Sequence, residues 1–159
     1  MKITHILALC LLSASTALGQ IGGPGGGGGG TNGGTSLWID GVTNSHSIEY
    51  EGVLDEVYSK ASITVSVPAL SPFTYDVTAS ITLLSPSGVA VNGVFSTATA
   101  TLGPGDQLIA GGLKTARSPC EDGNWKSTAT ATYFNTLFAQ FQDVPGLPDK
   151  INRDIECGT

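Results

Sequence analysis

The chain has 159 residues, of which 13% are charged and 40% hydrophobic, and its net charge is −6. That length suits one folded domain rather than two. The acidic balance argues against nucleic acid, whose phosphates need clustered Lys and Arg, and against anionic lipid surfaces.

Residues 1–19 read as a secretory signal. Lys2 is the charged start, Ile3 to Leu12 is a mostly apolar run too short to span a bilayer, and Ala17-Leu18-Gly19 offers small residues at a cleavage point before Gln20. Cys10 lies inside the apolar run behind Leu9, which does not fit a lipid-attachment site. Without Lys2, six basic residues face 13 acidic ones, a net −7. Residues 20–35 read as a disordered Gly-rich linker. Ten of the 13 residues from Gly22 to Gly34 are Gly, which leaves too little apolar surface to offset ordering entropy. The tract is not a phosphate loop, because no Lys-Ser/Thr follows it.

Residues 36–159 change period. Weak strand signals run over Leu37–Val42 and Ile48–Tyr50. Four stronger runs alternate apolar residues with Ser or Thr: Ala61 to Val67, Val77 to Leu83, Thr97 to Leu102 and Trp125 to Tyr133. Strand side chains point alternately to opposite faces, so each run has one apolar and one hydroxylated side. Gln107 to Thr115 is a weaker strand, in which Gly111-Gly112 should either weaken the pairing or mark a bulge. Turn signals separate the runs at Pro68 to Pro72, Ser85 to Gly88, Asn92-Gly93, Gly103 to Asp106 and Glu121 to Asn124. Thr136 to Val144 fits a strand or a helix, with strand preferred. The expectation is an all-β, antiparallel two-sheet sandwich of about seven or eight strands. Its core should join Val65, Val67, Val77, Ala79, Ile81, Leu83, Ala98, Ala100, Leu102, Trp125, Ala129 and Ala131.

Two stretches carry a resemblance. Ile81 to Val91 contains Ser85-Pro86-Ser87-Gly88 and resembles a hairpin of secreted immunoglobulin-like modules, in which a strand ends in Pro-x-Gly and returns. Asp122-Gly123-Asn124-Trp125, continued to Ala131, looks like a late strand of such modules. Together they cover about 21 residues. The resemblance implies an immunoglobulin-like sandwich and no particular activity. No Cys pair brackets a Trp across the sheets, so the pattern departs from antibody domains.

Cys120 and Cys157 are the two cysteines after residue 19. An even pair in a secreted chain reads as one disulfide, stabilising by about 4 kcal/mol on the chain-entropy model. Candidate chemistry is sparse. His46 is the single His after residue 19, in a polar stretch that reads as an exposed loop, and no G-x-S-x-G elbow occurs. Glu49 and Glu51 share a strand face at ~7 Å spacing, compatible with a carboxylate pair but commoner as a solvated face. The stretch Asp40 to Glu56 is acidic but lacks calcium-loop spacing, so no metal or other cofactor is assigned. Trp38 and Tyr50 are candidates for an aromatic binding platform, against which stands ordinary packing.

The expected function is that of a non-catalytic secreted protein with a structural or interaction role at or outside the cell surface. An unknown extracellular protein or glycan would be its partner, with no nucleic acid and no membrane insertion after signal cleavage. Alternatives are a carbohydrate- or ligand-binding module using exposed aromatics, and a small secreted hydrolase with a carboxylate pair.

Overall fold

The computed structural model describes residues 38–135 and 139–158. These belong to one compact unit, Gly34–Thr159. The expected signal and Gly-rich linker lie outside the described residues. The described residues form ten strands and no helix: β1 (Asp40–Glu51), β2 (Glu56–Ser66), β3 (Tyr75–Leu84), β4 (Ala90–Val91), β5 (Thr97–Leu102), β6 (Gln107–Lys114), β7 (Ser118–Pro119), β8 (Gly123–Asn135), β9 (Gln140–Asp143) and β10 (Asp149–Ile155).

All pairings are antiparallel and make two sheets. One runs β1-β2-β6, with β7 beside β2; the other runs β10-β8-β3-β4, with β5 beside β3 and β9 beside β8. Alternation decides which faces meet. On β3, Tyr75, Val77, Ala79, Ile81 and Leu83 are buried, while Thr78, Ser80 and Thr82 stay partly exposed on the other face. On β8, Trp125, Ala129, Ala131 and Tyr133 are buried, with Thr128, Thr130 and Thr132 outward. A slip of one residue would reverse both rows, so apolar burial fixes the register.

The two weak signals at the start of the domain merge into one 12-residue strand, β1. Its register shifts between Thr43 and Ser45 opposite β2. The extra residue, Asn44, changes the phase of everything after it. Of the two readings of Gly111-Gly112, β6 shows the bulge: Ala61 and Ile63 face Leu113 and Ala110, so Gly111 and Gly112 together oppose Ser62. Residues 140–143 of the ambiguous segment form a strand, but Phe141 is 72% exposed and packs edge-on against Phe134 at 5.2 Å instead of entering the core. Leu137 and Phe138 lie outside the described residues.

The expected single core is two clusters. The larger joins β2, β3, β6 and β8 through Ile63, Val65, Ile81, Ala129 and their neighbours. The smaller holds Ile48, Val57, Leu83, Trp125 and Ile155. Leu83 and Trp125 therefore belong to a different cluster from Ile81. Ala98 and Ala100 are half-buried rather than core, because β5 is an outer strand with one lateral neighbour.

Two connections close the gaps between the sheets. Residues 92–96 leave the β3 edge and reach β6: Lys114 N donates to Phe95 O at 2.9 Å, and Ala116 N to Asn92 O at 3.3 Å. Gly93 permits that approach, since a Cβ there would lie 2.4 Å from Ala116 N. On the other side, Gly41 N donates to Pro145 O at 2.9 Å and Val144 N to Ala131 O at 2.8 Å. Gly146 has φ +90°, and a Cβ would fall 2.1 Å from Gly41 O. Cys120 and Cys157, 37 residues apart with Cα atoms at 5.8 Å, are joined by a disulfide that ties the tail to the β7–β8 turn. Trp125 Nε1 donates to Glu121 O at 2.9 Å in the same turn.

Candidate functional site

Between the two core clusters lies a polar layer. On β2, Ser59 falls between Val57 of one cluster and Ala61 of the other; on β8, Ser127 falls between Trp125 and Ala129. Both serines have inward parity, and both are essentially inaccessible, at 0% and 1%. The bulge on β1 brings His46 to the same level. Without the extra residue His46 would point outward, which is how its polar sequence neighbourhood reads; with it the side chain is only 2% exposed. The expectation of an exposed loop histidine is thus corrected by one inserted residue.

The contacts run in a line. Asp149 Oδ2 is 2.9 Å from His46 Nδ1, and His46 Nε2 is 2.8 Å from Ser127 Oγ. Ser127 Oγ is 2.6 Å from Ser59 Oγ and 3.2 Å from the Thr82 carbonyl oxygen. Ser59 Oγ donates to Ser47 O at 2.8 Å, and Ser59 N donates to Thr115 Oγ1 at 3.0 Å. Ser127 Oγ thus stands at the centre of the line, against His46 on one side and Ser59 on the other. The line joins β1 and β2 of one sheet to β8 and β10 of the other.

Asp149, His46 and Ser127 have the connectivity of a nucleophile, base and orienting acid. Their placement differs from that of a working triad. Ser127 points into the seam, with Ser59 against its oxygen and a core cluster on either side. Ser127 shares the inward parity of Trp125 and Ala129. What parity could not supply was the partner, because His46 and Asp149 lie 81 and 22 positions away.

The other predicted residues are dispersed. Glu49 and Glu51 do share the outer face of β1, yet neither stands as a free pair. Glu49 binds Lys60 at 3.0 Å and accepts from Ser47 Oγ at 2.8 Å. The Lys60 ammonium, then the Ser47 hydroxyl, hold the Glu49 carboxyl below its ordinary pKa. Arg117 pairs with both Glu51 and Glu56, and these bonds raise its pKa. Lys114 and Arg117 also approach the Tyr58 ring, at 4.1 and 5.4 Å. Cations from β2 and the β6–β7 link thus engage the acidic stretch. Asp55, Cys120 and Cys157 come within 4.8 Å of one another, but the disulfide leaves no thiolate for a metal.

Trp38 and Tyr50 lie beyond or near opposite ends of β1 and are not brought together. Trp38 packs against the larger core cluster. Tyr50 packs against the smaller one, and its hydroxyl donates to Asp55 Oδ1 at 2.9 Å and accepts from Gly158 N at 3.0 Å. The outer face of the β8 sheet instead carries hydroxyl rows in register: Thr99–Thr78–Thr132 and Thr97–Ser80–Thr130. Beside them Thr82, Leu84, Lys126, Ser127, Thr128, Lys150, Ile151 and Asn152 line an open groove of about 610 Å³, although the Ser127 residue as a whole is only 1% exposed.

No family model matches the chain, and neither does any curated protein sequence. Among solved structures, the solution structure of a "putative late embryogenesis abundant (LEA) protein" covers 75% of this chain and 73% of its own, at 13% identity and a TM-score of 0.34. A likeness that shallow carries no argument. The described residues define the class: an all-β protein of two antiparallel sheets, β-sandwich-like, with the Cys120–Cys157 disulfide. Among the described residues no helix is long and apolar enough to cross a membrane.

Proposed function

We propose that this is a secreted, non-catalytic immunoglobulin-like module with a structural or interaction role at or outside the cell surface. The observation that carries the reading is the burial of His46 and Ser127, with Asp149 capping their line from the half-exposed rim. The group most capable of nucleophilic chemistry is spent on joining the sheets, while the outer face of the β8 sheet carries rows of Thr and Ser suited to contact. The immunoglobulin-like part of the reading is supported by strand order. Setting aside the shortest strands, β1-β2-β6 faces β10-β8-β3-β5, a seven-strand arrangement in which the fourth long strand sits beside the third. The extracellular part is supported by the N-terminal sequence pattern and by a disulfide, which persists in oxidising compartments.

The test has two arms. A fluorophosphonate probe, which reacts with activated serines, is expected to leave the protein unlabelled; modification at Ser127 would overturn the non-catalytic reading. Expression with the native N-terminus is expected to deliver a chain starting at Gln20 to the medium, and retention of the uncleaved chain in the cytoplasm would overturn the secreted one.

A further inference from the structure

We infer that the β5 edge is a self-association surface, on which a second copy of this chain adds its own β5 antiparallel about a two-fold axis at Thr99. The inference concerns only a strand edge and stands whether or not the functional reading above does.

Among the described residues β5 pairs with β3 on one side and has no strand on the other. An unpaired edge presents main-chain donors and acceptors to any extended partner. Their direction follows from the ladder. Ile81 N donates to Ser96 O at 2.8 Å, so Ser96 and, by antiparallel alternation, Ala98, Ala100 and Leu102 turn their main-chain groups toward β3. The N–H and C=O groups of Thr97, Thr99 and Thr101 therefore point outward along the edge.

The sequence of that edge is its own antiparallel complement. Thr97-Ala98-Thr99-Ala100-Thr101 reads the same in both directions. Pairing two copies about Thr99 sets Thr97 opposite Thr101, Thr99 opposite itself, and Ala98 opposite Ala100. The residues whose main-chain groups face outward are the ones that meet, and each such pair can exchange both N–H···O bonds. Facing residues of antiparallel strands lie on the same side of a sheet, so threonines meet threonines on the outer face and half-buried alanines meet alanines on the core side. A two-fold axis requires this self-complementarity. The pairing would extend the hydroxyl rows without a break from one copy into the other.

Charge selects the same edge. The chain is net negative, so copies repel unless they meet where charge is missing. The six residues of β5 contain no ionisable group and no Pro. By contrast β1 carries Asp40, Glu49 and Glu51, β10 carries Asp149, Lys150, Arg153 and Asp154, and the β6 edge carries Lys114 and is interrupted by its Gly111-Gly112 bulge. The carboxylate nearest β5, Asp76, accepts from Thr101 Oγ1 of its own chain at 2.6 Å. Charged edges are a common defence against strand addition, and β5 lacks it. Just before β5, Val94 and Phe95 are 91% and 72% exposed. The two-fold puts them level with the second copy's Gly103-Pro104 turn, where pairing would remove apolar surface from water.

Sedimentation velocity over a wide range of protein concentration tests this. The expected result is a reversible monomer–dimer equilibrium. Thr99 is exposed, so Thr99→Lys and Thr99→Glu should fold normally, as judged by unchanged melting, and each should be monomeric because like charges meet at the axis. Mixing the two variants should restore a dimer containing one of each. A wild-type chain that stays monomeric, a dimer that survives Thr99→Lys, or a mixture that stays monomeric would overturn the proposal.

Discussion

Replacing Ser127 by Ala removes one oxygen from the middle of the polar layer. That oxygen touches His46 Nε2 at 2.8 Å and Ser59 Oγ at 2.6 Å. Ser59 keeps its bond to Ser47 O, but His46 Nε2 is left without its partner on a side chain 2% exposed. A buried polar group left unsatisfied costs about 1–3 kcal/mol, and burying the new methyl recovers little because Ser127 Cβ is already there. Ser59→Ala should cost less, ~1 kcal/mol, since Ser127 retains His46. The double variant should be less destabilised than the two added together, by about 0.5–1.5 kcal/mol, because the hydroxyls serve each other. At this domain size 1 kcal/mol corresponds to roughly 4 °C in melting temperature. Urea denaturation of the four proteins, followed by circular dichroism, measures the cycle. A Ser127→Ala protein more stable than wild type would refute the reasoning, for it is functional-site residues whose removal tends to stabilise. Strict additivity would refute the coupling.

Ile81→Ala should cost roughly 2–5 kcal/mol, since Ile81 is 1% exposed in the larger cluster, whereas Thr82→Ala on the outer face should cost well under ~1 kcal/mol; equal costs by chemical denaturation would show the faces reversed. Reducing Cys120–Cys157 should lower the melting temperature, with about 4 kcal/mol as the chain-entropy expectation for a 37-residue separation; calorimetry with and without reductant would detect it, and an unchanged melt would contradict it. Glu49, whose carboxyl is held below its ordinary pKa by Lys60 and Ser47, contributes stability that is present above the unfolded-chain value and is lost as pH falls through the lower folded one. Glu49→Gln should therefore lose stability at neutral pH and show a shallower decline on acidification below about pH 4.3; a parallel pH profile for the two proteins would exclude the pairing.

Much of the architecture follows from short-range pattern. The alternation in β3 and β8 places Ile81 and Ala129 inward because one face of each strand must leave water, and parity admits two choices only. Gly111-Gly112 marks the β6 bulge for a local reason, as Ser85 to Gly88 marks the turn into β4: Gly88 N donates to Ser85 O at 2.9 Å with φ +86° at Gly88. The cysteine pairing was legible because only two remain after residue 19. The polar layer was not. Neither local composition nor hydrophobic period marks Asn44 as an extra residue, yet that residue turns His46 from solvent to the seam. The division of the core around Ser59 and Ser127 likewise needs both sheets in place, because each serine alone looks like an ordinary interruption of an apolar row. Trp38 and Tyr50 are aromatics outside the clearest runs, and their separation depends on two weak strand signals fusing into the single strand β1. The sequence determined by itself that the chain would be β, which residues of the four strong runs would turn inward and which cysteines would join, since these depend on neighbours two residues apart or on counting. Only the tertiary structure decided where histidine, aspartate and serine meet, because that depends on strand register across two sheets, and a single bulge resets it.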